Sequence, residues 1–239
     1  MPTAPLLHWP QGAPANVEMF WRWLHLISAI LWIGLLYFFN LVSTQFTAQL
    51  DATLRLRVLP GLMWRALNWF RWGSLVTVLS GLAYLGMIVT ADARNGGARQ
   101  GGYWGTWFAI WIVAWAIFYL LLRFGNKALV YAGTSLVIFL ASCLFLRLNS
   151  HGWESNRALS AGIGGGMGFF LLLNVWGIVW RAQKKILRGM EAAATGSPMP
   201  VETGKLASQA ALTSRFSFYL TFVIIFFMAS ASHFPLFGV

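Results

Sequence analysis

The chain has 239 residues, of which 58% are hydrophobic and only 10% are charged, and its mean hydropathy is +0.65. Soluble domains carry about 25% charged residues, so this chain lacks the polar side chains needed to cover a globule of its size. The composition predicts an integral membrane protein and excludes an ordinary soluble domain.

The formal net charge of +11 comes from 17 basic and 6 acidic residues. In a soluble protein this balance would indicate nucleic-acid binding. In a membrane protein, lysine and arginine collect in cytoplasmic loops and contact anionic lipid. We therefore expect contact with the lipid bilayer and no nucleic-acid partner. Cys143 is the single cysteine and there is no CxxCH motif, which excludes a covalently attached c-type heme.

A Pro-rich tail, residues 1–16, precedes six apolar runs, and each run approaches or exceeds the roughly 20 residues that a helix needs to cross a membrane. In chain order the runs are 17–46, 67–90, 104–122, 128–146, 159–180 and 216–233. They predict an all-α integral membrane protein in which residues 17–239 form one bundle of about six transmembrane helices. The loop 181–215 opens with RAQKKILRGMEAAA, which is either a helical extension along the lipid headgroups or a solvated linker.

The connections between the runs differ in charge and so predict the orientation. Alternate connections hold 12 of the 17 basic residues: Arg55, Arg57, Arg65, Arg71, Arg123, Lys127, Arg181, Lys184, Lys185, Arg188, Lys205 and Arg215. By the positive-inside rule this side is cytoplasmic, which places both termini on the periplasmic side of a bacterial inner membrane.

The first apolar run begins with WRWLHLISAILWIG, residues 21–34, and this stretch contains Arg22 and His25. His25 and His233 are expected near the outer ends of the first and sixth spans, at similar depth. Neutral imidazole is a common ligand of heme iron and of other metals, so the two histidines are candidate axial ligands of a b-type heme. Arg22, one turn from His25, is positioned to pair with a heme propionate. Trp32 is expected to face the bundle interior beside the cofactor.

Two further interpretations of this pattern stay open. The same histidines are candidate ligands of copper or another metal, or they bind no cofactor and only hydrogen-bond to headgroups, water or backbone carbonyls. The glycine-rich stretch GIGGGMG, residues 162–168, has the small-xxx-small spacing of closely packed membrane helices. Its alternative role is to leave room for a flat cofactor.

Several motifs together resemble a known family. WRWLHLISAILWIG is followed by LYFFN, NWFRWGSLVTVLSG, NVWGIVWRAQKKI, SRFSFYL and FFMASASHFP. In this order the motifs resemble the N-terminal membrane domain of the bacterial membrane-type urate oxidases, from about residue 21 to residue 237. More weakly, the first span resembles copper-resistance D proteins and the heme-carrying membrane protoporphyrinogen oxidases.

The resemblance implies a urate oxidase-like oxidoreductase whose C-terminal cytochrome c domain takes up electrons. The sequence ends at Val239 without such a domain, so we expect a separate acceptor, either a cytochrome c or a larger membrane complex. Ser232 stands where the family pattern has an asparagine before His233.

Two other functions are considered. The first is a non-catalytic accessory subunit that stabilises a respiratory or photosynthetic membrane complex. The second, a transporter of small molecules or metal ions, is less consistent with the sequence, because no span is clearly broken by proline or contains a buried charge.

Overall fold

The computed structural model describes residues 12–237, which in this range form helices, turns and short irregular segments but no β-strand. Six helices are long and apolar enough to cross a membrane. They are α1 Ala13–Gln49, α2 Ala52–Asn95, α3 Gly101–Arg123, α4 Lys127–Asn149, α5 Asn156–Ala194 and α6 Thr203–His233. The prediction of an all-helical membrane protein with six spans is confirmed.

Each predicted span lies within one of these helices, but α2, α5 and α6 extend well beyond their apolar runs. The first turn of α2 is capped by Asp51, whose Oδ1 accepts a hydrogen bond from the Leu54 amide at 2.9 Å. The next turns contain Arg55, Arg57 and Pro60, so no apolar run marks them. Of the predicted tail, residues 1–11 lie outside the described range, and α1 begins at Ala13.

The second extension concerns the predicted loop 181–215. RAQKKILRGMEAAA continues α5 as far as Ala194, and α6 begins at Thr203, so the irregular connection is limited to residues 195–202. The indole of Trp64 on α2 donates a hydrogen bond to Glu191 Oε1 at 2.7 Å. The segment is therefore helical rather than an irregular linker.

Helix α5 lies at the centre of the bundle. In its most apolar 18-residue window 72% of the residues are buried, against 28% in α1, α3 and α4. Helix α5 contacts α2, α3, α4 and α6, while α1 packs along α2 and α3 packs along α4. By contrast, α1 and α6 contact each other only sparsely.

Glycines allow the other helices to approach α5. A Cβ added at Gly162 would lie 2.5 Å from Phe145 Cζ, and one added at Gly166 would overlap the indole of Trp111. Gly164 faces α6, where an added Cβ would be 3.1 Å from Phe227 Cβ. The close packing predicted for the glycine-rich stretch therefore holds at these three positions.

Two ends of the bundle are distinguished below. The terminal end is where the chain enters α1 and leaves α6, and the basic end contains the connections rich in lysine and arginine. Toward the basic end, α1 and α5 each contain a π-helical segment, at Phe38–Ser43 and Val175–Val179. Such segments are rare and often accompany functional sites, and the apolar pattern did not predict them.

Candidate functional site: a cavity between α1, α2, α5 and α6

A cavity of about 620 Å³ lies among α1, α2, α5 and α6, in the terminal half of the bundle. Ligand sites in proteins typically measure about 300–1,000 Å³ and are mostly apolar with a few polar groups. The cavity lining includes all four residues singled out from the sequence, which are Arg22, His25, Trp32 and His233. The two histidines are thus brought to one cavity by helices at opposite ends of the chain.

His25 is held against α2. Its Nδ1 lies 2.8 Å from the Thr77 carbonyl oxygen, and because a carbonyl only accepts, Nδ1 is the protonated nitrogen. The ring packs on Gly81, where an added Cβ would lie 2.8 Å from Nδ1. The lone pair is therefore on Nε2, which forms no hydrogen bond with the residues that the structure describes. Metal-ligating histidines commonly use this arrangement, in which the second nitrogen donates to a carbonyl.

His233 is the last residue of α6 and is exposed. The chain around it is fixed by Asn156 at the start of α5. Asn156 Nδ2 donates to the Ser230 carbonyl at 3.1 Å, and its Oδ1 accepts from the amides of Leu236 at 2.8 Å and Phe237 at 3.0 Å. Within residues 12–237 the His233 imidazole itself forms no hydrogen bond. The end of the helix is fixed, and the side chain is available to a ligand.

Two arginines lie at the terminal end of the cavity. Arg22 and Arg157 both contribute to the lining, and each guanidinium lies 5.6 Å from the ring centroid of Tyr84. Arg157 Nη2 donates to Glu18 Oε1 at 3.1 Å and also to the Tyr84 hydroxyl. With two cations and one carboxylate, this rim is positively charged.

Trp32 lies deeper in the bundle and is only 4% exposed. Its Nε1 is buried and has no hydrogen-bond partner in the structure. Besides the large cavity, Trp32 lines a void of about 10 Å³ together with the polar side chains of Asn174, Ser214 and Ser217. A void of this size accommodates about one water molecule, which is the natural partner for the indole N–H.

Three further glycines line the cavity without filling it. An added Cβ at Gly34 or Gly168 would meet no atom within 4 Å, and at Gly165 it would meet only Met228 Cε at 4.0 Å. All three residues line the cavity. Within GIGGGMG, some glycines therefore pack against neighbouring helices, while Gly165 and Gly168 leave space in the cavity wall.

Sequence reasoning did not identify Thr77, Gly81, Tyr84, Arg157 and Asn156 as parts of this site. Arg157 offers one signal in the sequence, because it is an arginine directly before an apolar run. The others gave none, because their roles depend on contacts across helices. No group of three or more His, Cys, Asp or Glu side chains in residues 12–237 is arranged to hold a metal ion.

The family described as urate oxidase N-terminal matches residues 50–238. This range includes His233 and begins directly after α1, so Arg22, His25 and Trp32 lie outside it. No curated protein and no solved structure matches the chain. Since the matched range covers most of the sequence, the chain belongs to the urate oxidase N-terminal family.

Proposed function

We propose that the cavity binds a b-type heme through His25 and His233 and that the protein is a membrane-embedded electron-transfer component. The observation that supports this proposal is the placement of two imidazoles on one mostly apolar cavity of about 620 Å³, with the Nε2 lone pair of His25 left without a protein partner. An oxidoreductase role is consistent with the family's description.

The set of donors favours heme over a bare metal ion. Copper and zinc sites in proteins usually use three or more protein ligands, and such a group is not found among the described residues. A heme needs at most two axial ligands from the protein, because the porphyrin supplies the other four. Gly34, Gly165 and Gly168 add no side chains to the wall, which is consistent with a flat macrocycle.

The chain's own residues position such a group in distinct ways. The Thr77 carbonyl fixes the His25 tautomer and increases the basicity of Nε2. Arg22 offers a guanidinium for a propionate at the rim. The apolar walls of α1, α2 and α6 exclude water, and the lower dielectric shifts the reduction potential of any bound redox centre.

A bound heme supplies reversible one-electron transfer. We propose that its partner is a separate cytochrome c or a larger membrane complex docking at the terminal end, which by the positive-inside rule we expect to face the periplasm of a bacterial inner membrane. Turnover of urate or a related compound would require this acceptor. If no cofactor binds, the alternative function is a non-catalytic accessory subunit.

A reduced-minus-oxidised visible spectrum of the protein purified from membranes, with metal analysis of the same sample, tests the proposal. We expect the absorption bands of a b-type heme and about one iron per chain, since one cavity with one pair of imidazoles holds one heme. A featureless spectrum in a sample free of iron, copper and zinc would contradict the proposal, and co-purification with a large assembly would then favour the accessory function.

A further inference from the structure

The cavity wall is interrupted between α1 and α6. Several residues line the cavity and are also largely exposed: Leu26 is 61% exposed, Ile30 73% and Ile225 45%. Gly34 and Ala229 are exposed lining residues as well. The cavity therefore opens sideways along these two helices.

The opening follows from how α1 and α6 contact each other. Between these two helices, the hydrogen bonds and ring contacts observed in residues 12–237 involve only Tyr37 and Asn40 of α1. Toward the terminal end such contacts stop, and the cavity separates the helices. We name this opening the α1–α6 slot and define it by Leu26, Ile30, Gly34, Ile225 and Ala229.

The slot lies at the depth of the hydrocarbon. Ile30 and Gly34 occupy the middle of the apolar run of α1, and Ile225 occupies the middle of the apolar part of α6. A helix segment this long and apolar places its centre in the bilayer core. A ligand that passes through the slot therefore has to be soluble in lipid.

The rim at the terminal end is positively charged, in contrast to the apolar slot. The Arg157 Nε is buried without a hydrogen-bond partner, and only the other end of its guanidinium is bound by Glu18 and Tyr84. No ion pair within the described residues includes Arg22. Guanidinium groups bind carboxylates and phosphates strongly because of their planar fork of donors.

We infer that the cavity is filled from the bilayer through the α1–α6 slot and accepts an amphiphile whose acidic end binds Arg22 and Arg157. This inference rests on the proposed function in treating the cavity as a ligand site. Heme, with two carboxylates at one edge of an apolar ring, belongs to the proposed ligand class. Iron ligation by the histidines is not required, so the two proposals can fail separately.

A nitroxide spin label tests the slot. In a Cys143→Ser background, a label is attached at Gly168→Cys inside the cavity, at Phe139→Cys on the exposed face of α4 away from the cavity, and at Arg99→Cys in the loop at the terminal end. In nanodiscs, collisions with oxygen report exposure to hydrocarbon, and collisions with a water-soluble nickel complex report exposure to water. We expect the label at 168 to show the same high oxygen and low nickel collision rates as the label at 139. A match with the label at 99, or low collision rates with both reagents, would overturn the slot.

Iron-free protoporphyrin IX and its dimethyl ester test the acidic end without involving the histidines. We expect the wild type to bind the free acid about tenfold or more tightly than the ester, which corresponds to about 1.4 kcal/mol. The double variant Arg22→Gln/Arg157→Gln is expected to lose this preference, and Arg99→Gln, which removes an exposed arginine at the same end, is expected to keep it. Equal binding of acid and ester by the wild type would overturn the assignment of the rim, whatever the heme spectrum shows.

Discussion

Helices α1, α5 and α6 are joined by polar side chains toward the basic end of the bundle and are separated by a cavity toward the terminal end. Toward the basic end, Tyr37 of α1 is hydrogen-bonded to Thr221 at 3.0 Å, and Asn174 of α5 donates to Ser217 of α6 at 3.2 Å. Toward the terminal end, α1, α5 and α6 surround a cavity of about 620 Å³. The polar pairs hold the helices together at the basic end, and the separation of the helices at the other end leaves the cavity.

The two π-helical segments of α1 and α5 also lie toward the basic end. Asn40 in the first donates to the Leu36 carbonyl and to Ser214 Oγ, both at 2.9 Å. Asn174, just before the second, also accepts from the Trp115 indole at 3.1 Å. Both π segments therefore lie where asparagines join helices, in the half of the bundle toward the basic end, which we call the packed half. The half toward the terminal end, which we call the cavity half, is built from regular α-helix.

The largest effect is expected from His25→Ala, which removes from the cavity half the imidazole that the Thr77 carbonyl holds in place. We expect a loss of heme affinity well above the tenfold that changes in outer-shell partners typically cause, measured by heme titration of the purified apoprotein. His151→Gln, which changes a mostly exposed histidine, is the matched control and is expected to retain heme. Equal heme binding by the two variants would show that His25 is not a ligand.

The second prediction compares two glycines of the same stretch. Gly166→Ala introduces a methyl group into the indole of Trp111, and overpacking of this kind typically costs about 1–3 kcal/mol. Gly168→Ala points into the cavity and is expected to leave the free energy of unfolding unchanged or slightly improved, because alanine favours helix by about 1 kcal/mol. Denaturant unfolding in detergent micelles checks both, and equal losses would contradict the division of roles.

The third prediction concerns the surface behind His25. Gly81→Ala displaces the imidazole and weakens its bond to Thr77, so we expect heme affinity to fall about 10–100-fold while the helix content stays the same. Gly86→Ala on the same helix is the control, since its methyl group would meet only Trp104 Cζ2 at an ordinary 4.0 Å. Unchanged heme affinity in Gly81→Ala would contradict the positioning of His25 by α2.

The smallest effect is expected in the packed half. Asn40→Leu removes one hydrogen bond between helices, and such bonds in membranes contribute about 0.6 kcal/mol on average. We expect a loss of stability of this size, again by denaturant unfolding, with the heme spectrum unchanged. A changed spectrum would show that the two halves are coupled.

The apolar runs were sufficient to predict six helices, because a membrane permits almost no other backbone arrangement for such segments. The pattern did not reveal where helices extend beyond the hydrocarbon. The first turns of α2 contain arginines and Pro60, and the end of α5 is basic. Capping by Asp51 and the contact of Trp64 with Glu191 support these extensions, and both depend on neighbours that a hydrophobic pattern does not show.

Part of the candidate site was predictable for a similar reason. An arginine or a histidine at the end of a span is costly and therefore noticeable, which identified Arg22, His25 and His233. Thr77 and Gly81 act through a backbone oxygen and a missing side chain, and Tyr84 acts through a hydroxyl on a neighbouring helix. Such roles follow from how α1 packs on α2 and leave no mark in a single sequence.

The coordination state of ferric heme in the purified protein tests the central claim most directly. With His25 and His233 both bound to one iron, the wild type is expected to show the low-spin spectrum of six-coordinate heme, and each single variant, His25→Ala and His233→Ala, is expected to lose it. A wild type without heme, or a low-spin spectrum that survives either substitution, would contradict the account.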